Sequence, residues 1–147
     1  MYQHLLVPID GSELSDRAVE ASIELARRLG ASITAFVAEP TTPPPATGLG
    51  TLGYVRAMEQ HDAETADHAS TVLAEFEKRA GAAGVRFEGM YARTQQVATA
   101  IVETARARGC DLIVMATHGR SAFGELVWGS HTKGVLARSR LPLLVLH

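Results

Sequence analysis

Short apolar runs alternate with longer amphipathic stretches along this chain, and that alternation leaves few architectures open. His4–Asp10 (HLLVPID), Ser32–Ala38 (SITAFVA), Val85–Arg93 (VRFEGMYAR), Cys110–Thr117 (CDLIVMAT) and Leu141–His147 (LPLLVLH) read as five strands. Three of these are near-continuously apolar, which suits strands covered on both faces in a parallel sheet. Between them, Leu14, Ala18, Ala21, Leu25 and Leu29 recur at helical spacing, with Ser12 or Ser15 as N-cap and Gly30 as the stop. Met58, Thr65, Ala69, Val72, Phe76 and Ala80 form a second stripe, and Val97, Ile101 and Ala105 a third. A short helix from Ser130 to Arg138 precedes the last strand. The pattern predicts an α/β fold: a single doubly wound five-stranded parallel sheet, order 3-2-1-4-5, with helices on both faces.

One segment breaks the rhythm. Pro40–Gly53 (PTTPPPATGLGTLG) holds four of the six prolines and three glycines and is expected to be a mobile surface loop. Two readings of it are open, a solvated connection or a lid over a ligand.

At 147 residues the chain has the length of one domain, spanning 1–147. A net charge of -2 lacks the basic excess of a nucleic-acid binder. No run approaches the roughly 18 apolar residues of a membrane helix, and the first residues carry no secretory pattern. The single cysteine, Cys110, heads an apolar run and reads as a small buried residue in a reduced compartment, which favours the cytoplasm.

In a doubly wound sheet, ligands sit beyond the carboxyl ends of the strands where the direction of winding reverses. Pro8 cannot donate to a ladder, so regular pairing should weaken there and leave Asp10 at the sheet rim. Asp10 is then either a ligand-facing acid or an Asx-type cap on the first helix. The fourth strand runs through Met115 and Ala116 into Thr117-His118-Gly119-Arg120 and on to Gly129-Ser130-His131. Gly119 and Gly129 let a backbone turn sharply and bring N–H groups to phosphate oxygens. Ser130 opens a helix whose positive dipole end attracts an anion. Spacing alone leaves two possibilities open here as well, a phosphate cradle or an ordinary strand-to-helix turn. His118 either reaches a phosphate or caps the turn.

Other signatures fail. Gly119-x4-Gly124 is followed by Glu125-Leu126 and Gly129-x4-Gly134 by Val135, so neither is a P-loop. Gly119-Arg120-Ser121-Ala122-Phe123 lacks the last glycine of a nucleophile elbow. The six histidines show no zinc spacing, and His61 and His68, two helical turns apart, read as solvated surface.

Taken together, VPIDGS, MATHGRS…WGS and the closing LPLLVLH resemble the universal stress protein family over nearly the whole chain. The nucleotide-binding branch of that family carries glycine, two residues, glycine, nine residues, then glycine and serine or threonine. Gly119, the nine residues Arg120 to Trp128, Gly129 and Ser130 match that register, with Ala116 at the first glycine position and His131 as a second departure. The resemblance also places Asp10 and Val37 at nucleotide-contacting positions, Val37 through its backbone. It implies a site drawn from Pro8, Asp10, Val37, Met115 and Ala116 on the strands, with His118, Gly119, Arg120, Gly129, Ser130 and His131 around the loop. The implied ligand is ATP or AMP, with Mg2+ beside a triphosphate, and the implied role is a nucleotide-dependent regulatory or binding module in stress adaptation. The alternatives are a slow ATPase or autophosphorylating protein, modified on Ser121 or Ser130, and a stress protein that works through protein interactions alone. The last strand, Leu141–Leu146, is expected at a sheet edge, where either a second copy pairs with it in a homodimer or a loop covers it.

Overall fold

The computed structural model describes residues 1–39, 41, 48–117 and 130–147. Nine elements follow in order: β1 (His4–Pro8), α1 (Glu13–Leu29), β2 (Ser32–Glu39), α2 (Thr51–Ala82), β3 (Phe87–Arg93), α3 (Val97–Ala107), β4 (Leu112–Ala116), α4 (Ser130–Arg138) and β5 (Leu143–Leu146). The strands form one sheet in the order β3-β2-β1-β4-β5 with every pairing parallel, as the alternating pattern predicts.

The two faces of the sheet carry separate cores. Leu5, Val7, Ile33, Val37 and Val114 face α1 and α2, where they meet Ala18, Val19, Phe76 and Ala80. Leu6, Phe36, Ile113 and Met115 face α3 and α4, where they meet Ile101, Ala105 and Val135. Successive strand residues thus alternate between two apolar environments, which is why β1 and β4 tolerate no polar interruption.

Local signals explain the ends of α1. Ser12 Oγ accepts the Ser15 N–H at 3.2 Å, and Gly30 closes the helix in the left-handed conformation at φ 67°. The buried stripe differs from the predicted one. Ser15, Ala18, Val19, Ser22 and Ala26 are buried, whereas Leu29 is exposed. Small residues let this helix lie close to the sheet, and the leucines flank the contact. Ser22 satisfies its hydroxyl by donating to the Val19 carbonyl at 2.9 Å.

Helix α2 begins earlier than its apolar stripe suggested. Thr51–Gly53, expected within the loop, already form its first turn, and the helix runs 32 residues. Its buried positions, Ala69, Phe76 and Ala80, all belong to the predicted stripe and lie in the C-terminal half. Phe76 meets Phe87 of β3 with ring centroids 5.1 Å apart, and Arg79 pairs with Asp16 and Glu20 of α1. Pro40 and residues 42–47, the heart of the expected loop, lie outside the described residues.

At the amino ends of the strands, Asp111 accepts the N–H groups of Gln3 and His4 at 2.8 and 3.0 Å, locking the start of β1 beside β4. Cys110 is buried as expected, and that burial pushes its thiol up to about 11.

Candidate functional site

The reversal of winding falls between β1 and β4. α1 and α2 cover one face as the chain steps outward to β3, and α3 crosses back over the other face to reach β4. The two strands at the reversal pair only at Leu5–Leu112 and Leu6–Ile113, whereas β1 stays paired with β2 over five positions to Pro8–Phe36. Beyond Leu6 the strands splay, and a cavity of about 580 Å³ opens at their carboxyl ends.

The two sides of this cavity differ in character. Phe36, Ala38, Val97, Ile101 and Met115, all from the core under α3 and α4, supply an apolar wall. Asp10, Ser12, Ser15, Glu39 and His68 supply a polar wall toward α1 and α2. Ser130, His131 and Thr132, the first turn of α4, close a third side.

Asp10 makes the expected Asx turn and stands at the cavity. Its Oδ1 accepts the Ser12 N–H at 2.9 Å in an Asx turn, and the residue lines the cavity. Burial alone would raise its pKa, but hydrogen bonds from Ser12 and Ser15 outweigh that cost and hold the carboxyl below its ordinary value, so it is a carboxylate at neutral pH. Ser15 Oγ braces the same turn by accepting the N–H groups of Asp10 and Gly11 at 3.4 and 3.2 Å.

Of the residues proposed from sequence, Pro8, Asp10, Met115, Ala116, Ser130 and His131 line this one cavity. The Val37 side chain is fully buried in the core under α1 and α2, and its neighbours Phe36 and Ala38 face the cavity instead. His118, Gly119, Arg120 and Gly129 lie outside the described residues.

The surface reading holds for His68, which is exposed, and needs correction for His61. Among the described residues His61 Nε2 is buried without a hydrogen-bond partner, and His68, half exposed, reaches over the loop after β1 to place Nε2 3.1 Å from the Asp10 carbonyl oxygen. Their spacing on α2 carried no sign of this, because the contact is 58 positions distant in sequence. Glu39 and Thr94 were also missed. They stand at the carboxyl ends of β2 and β3, joined by a Thr94 N–H to Glu39 carbonyl bond of 2.9 Å, and the strand-end rule that singled out Asp10 applies to them equally.

A doubly wound parallel sheet with a half-apolar, half-polar crevice at its switch point is an α/β protein of the Rossmann-like architecture. Within that class the assignment is specific: the Universal stress protein family model matches residues 1–147, and the chain belongs to that family. It is 27% identical over 147 residues to the universal stress protein YxiE of Bacillus subtilis (strain 168), covering 99% of each chain. Among solved structures, a universal stress protein family member from Burkholderia pseudomallei superposes with a TM-score of 0.72 at 25% identity, covering 99% of this chain and 96% of that one. A universal stress protein solved in complex with cAMP gives 0.69 at 27% identity, covering 99% and 97%.

Proposed function

We propose that this protein binds an adenine nucleotide, ATP or AMP, in the crevice between β1 and β4 and acts as a nucleotide-dependent binding module in stress adaptation. The observation that carries this reading is the division of the cavity into an apolar wall and a polar rim at the switch point. Its volume of about 580 Å³ lies within the range of roughly 300–1,000 Å³ usual for small-molecule sites. A purine ring fits against Phe36, Ile101 and Met115, and the Asp10 carboxylate accepts from ribose hydroxyls. The first-turn N–H groups and positive dipole end of α4, with the Ser130 hydroxyl, favour the phosphates. The relative solved with cAMP supports the ligand class. Mg2+ would enter with a triphosphate, on its oxygens.

Calorimetric titration with AMP and ATP, with and without magnesium, tests the proposal. Binding of at least one nucleotide is expected, and Ser130→Trp, an exposed substitution at the cavity mouth, is expected to weaken it while the circular dichroism spectrum stays unchanged. Absence of heat for both nucleotides at about 1 mM, a level that detects even weak binding, overturns it.

The outer edge of β5 supports a homodimer. Among the described residues no strand pairs with it beyond β4, and Leu144 is 38% exposed there. Light scattering after size exclusion should give twice the monomer mass; a monomer at micromolar concentration refutes this. No helix among the described residues is long and apolar enough to cross a membrane, and the buried, unpaired thiol fits a cytoplasmic protein.

A further inference from the structure

Helix α2 changes character along its length. Its second half is anchored by Ala69, Phe76 and Ala80, which are buried in the core. Its first half meets the sheet through polar contacts: Asp62 pairs with Arg93 at 2.5 Å, and the Tyr91 hydroxyl donates to Thr65 Oγ1 at 3.4 Å. The other side of that first half carries a regular row. Leu52, Arg56, Glu59, Ala63 and Ala66 recur at intervals of four, three, four and three, the spacing that keeps residues in line on a helix. All five are exposed, Leu52 by 65%, and Val55, 45% exposed, flanks them. At about 3.6 residues per turn the row lies nearly opposite His68, so it faces away from the cavity that His68 lines.

An exposed leucine by itself needs no explanation. This row, however, is complementary to itself. Turned end for end about an axis between Ala57 and Met58, it sets Leu52 against the second copy's Ala63 and Arg56 against the second copy's Glu59, and the symmetry makes each pairing twice. Leu49, exposed just ahead of the helix, comes level with the second copy's Ala66. Large side chains thus meet small ones, which lets the helix axes approach, and each charge meets its opposite. A parallel pairing would set Arg56 against Arg56 and Leu52 against Leu52, so the row selects one orientation. We infer that the amino-terminal half of α2 is a self-association surface, and that its partner is the same half-helix of a second copy of this chain, docked antiparallel. Because α2 packs on β2 and β3 while β5 is the opposite edge of the sheet, this contact and a pairing through β5 use separate surfaces. It also leaves the mouth of the cavity open.

Sedimentation equilibrium from about 10 μM to about 1 mM, a range that registers weak association, tests this on wild type, Arg56→Glu, Glu59→Arg and an equimolar mixture of the two variants. Both substitutions are exposed and exchange one good helix former for another, so the circular dichroism spectrum should not change. Wild-type mass should rise with concentration above that of either variant alone. Each variant should self-associate through α2 about tenfold or more weakly, because two attractive pairs become two repulsive ones. The mixture should regain wild-type behaviour, since one copy then presents two acidic side chains and the other two basic ones. Any pairing through β5 is common to all four samples and drops out of the comparison. A wild type no heavier than the variants overturns the inference and leaves this face to solvent or to another partner. A mixture that stays at the variants' mass overturns it as well, because the antiparallel register requires the rescue.

Discussion

His68 Nε2 donates a hydrogen bond of 3.1 Å to the main-chain carbonyl of Asp10, fastening the middle of α2 to the loop that follows β1. Neither the packing of Phe76 nor the Arg79 ion pairs reach this far along the helix toward the cavity. His68→Ala is expected to cost about 1 kcal/mol, the ordinary worth of a partly exposed hydrogen bond. Urea unfolding measures it; an unchanged midpoint would show that the bond contributes nothing.

Gly11 sits beneath that bond. Its φ of +82° is strained for any L side chain, and an added Cβ would lie 2.8 Å from Val72 Cγ2 and 3.2 Å from His68 Cε1. Gly11→Ala therefore combines a left-handed backbone cost of about 1–2 kcal/mol with overpacking of similar size. Thermal unfolding should show a clear drop, larger than that of His68→Ala.

Close approach between α3 and α4 rests on Gly134. A Cβ there would stand 2.6 Å from Ala98 Cβ, so the helices would have to separate. In an exposed helix Gly→Ala would gain about 1 kcal/mol. Here Gly134→Ala is expected to lower stability by about 1–2 kcal/mol instead, through overpacking. The double variant Gly134→Ala with Ala98→Gly should recover most of the loss, and additive losses in the pair would refute the contact.

The Asp10 carboxyl sets a pH dependence. Burial raises its pKa but the Ser12 and Ser15 hydrogen bonds lower it by more, so the folded value lies below that of an ordinary aspartate. A depressed carboxyl contributes stability that is fully present above the unfolded value and is lost as pH falls through the folded one. The stability difference between wild type and Asp10→Asn should thus be flat at neutral pH and shrink only below about pH 4. A difference that instead fades between pH 6 and pH 8, on the order of two units too high, would assign the titration to another group.

How much of this was legible beforehand depended on the range of the interaction. The five strands were visible because a two-sided core demands continuous apolar runs, and sheet order followed from the handedness of their connections. Their ends were read too long, Asp10 and Thr117 among them, because ladder pairing stops where neighbouring strands diverge. The buried stripe of α1 was shifted from Leu25 and Leu29 to Ser22 and Ala26, since how close a helix lies to its sheet decides whether small or large residues face inward. Asp10 and Ser130, read from a strand end and a helix start, and Pro8, Met115, Ala116 and His131, implied by the family resemblance, all line the cavity.

By itself, then, the sequence determined the architecture, the position of the crevice and the acid at its rim, because each follows from periodicity and from where a strand must stop. Only the tertiary structure decided that α2 leans over the crevice. It alone set His68 against Asp10 and brought it to 3.7 Å from Glu39, since those contacts join residues tens of positions apart and no local pattern encodes them.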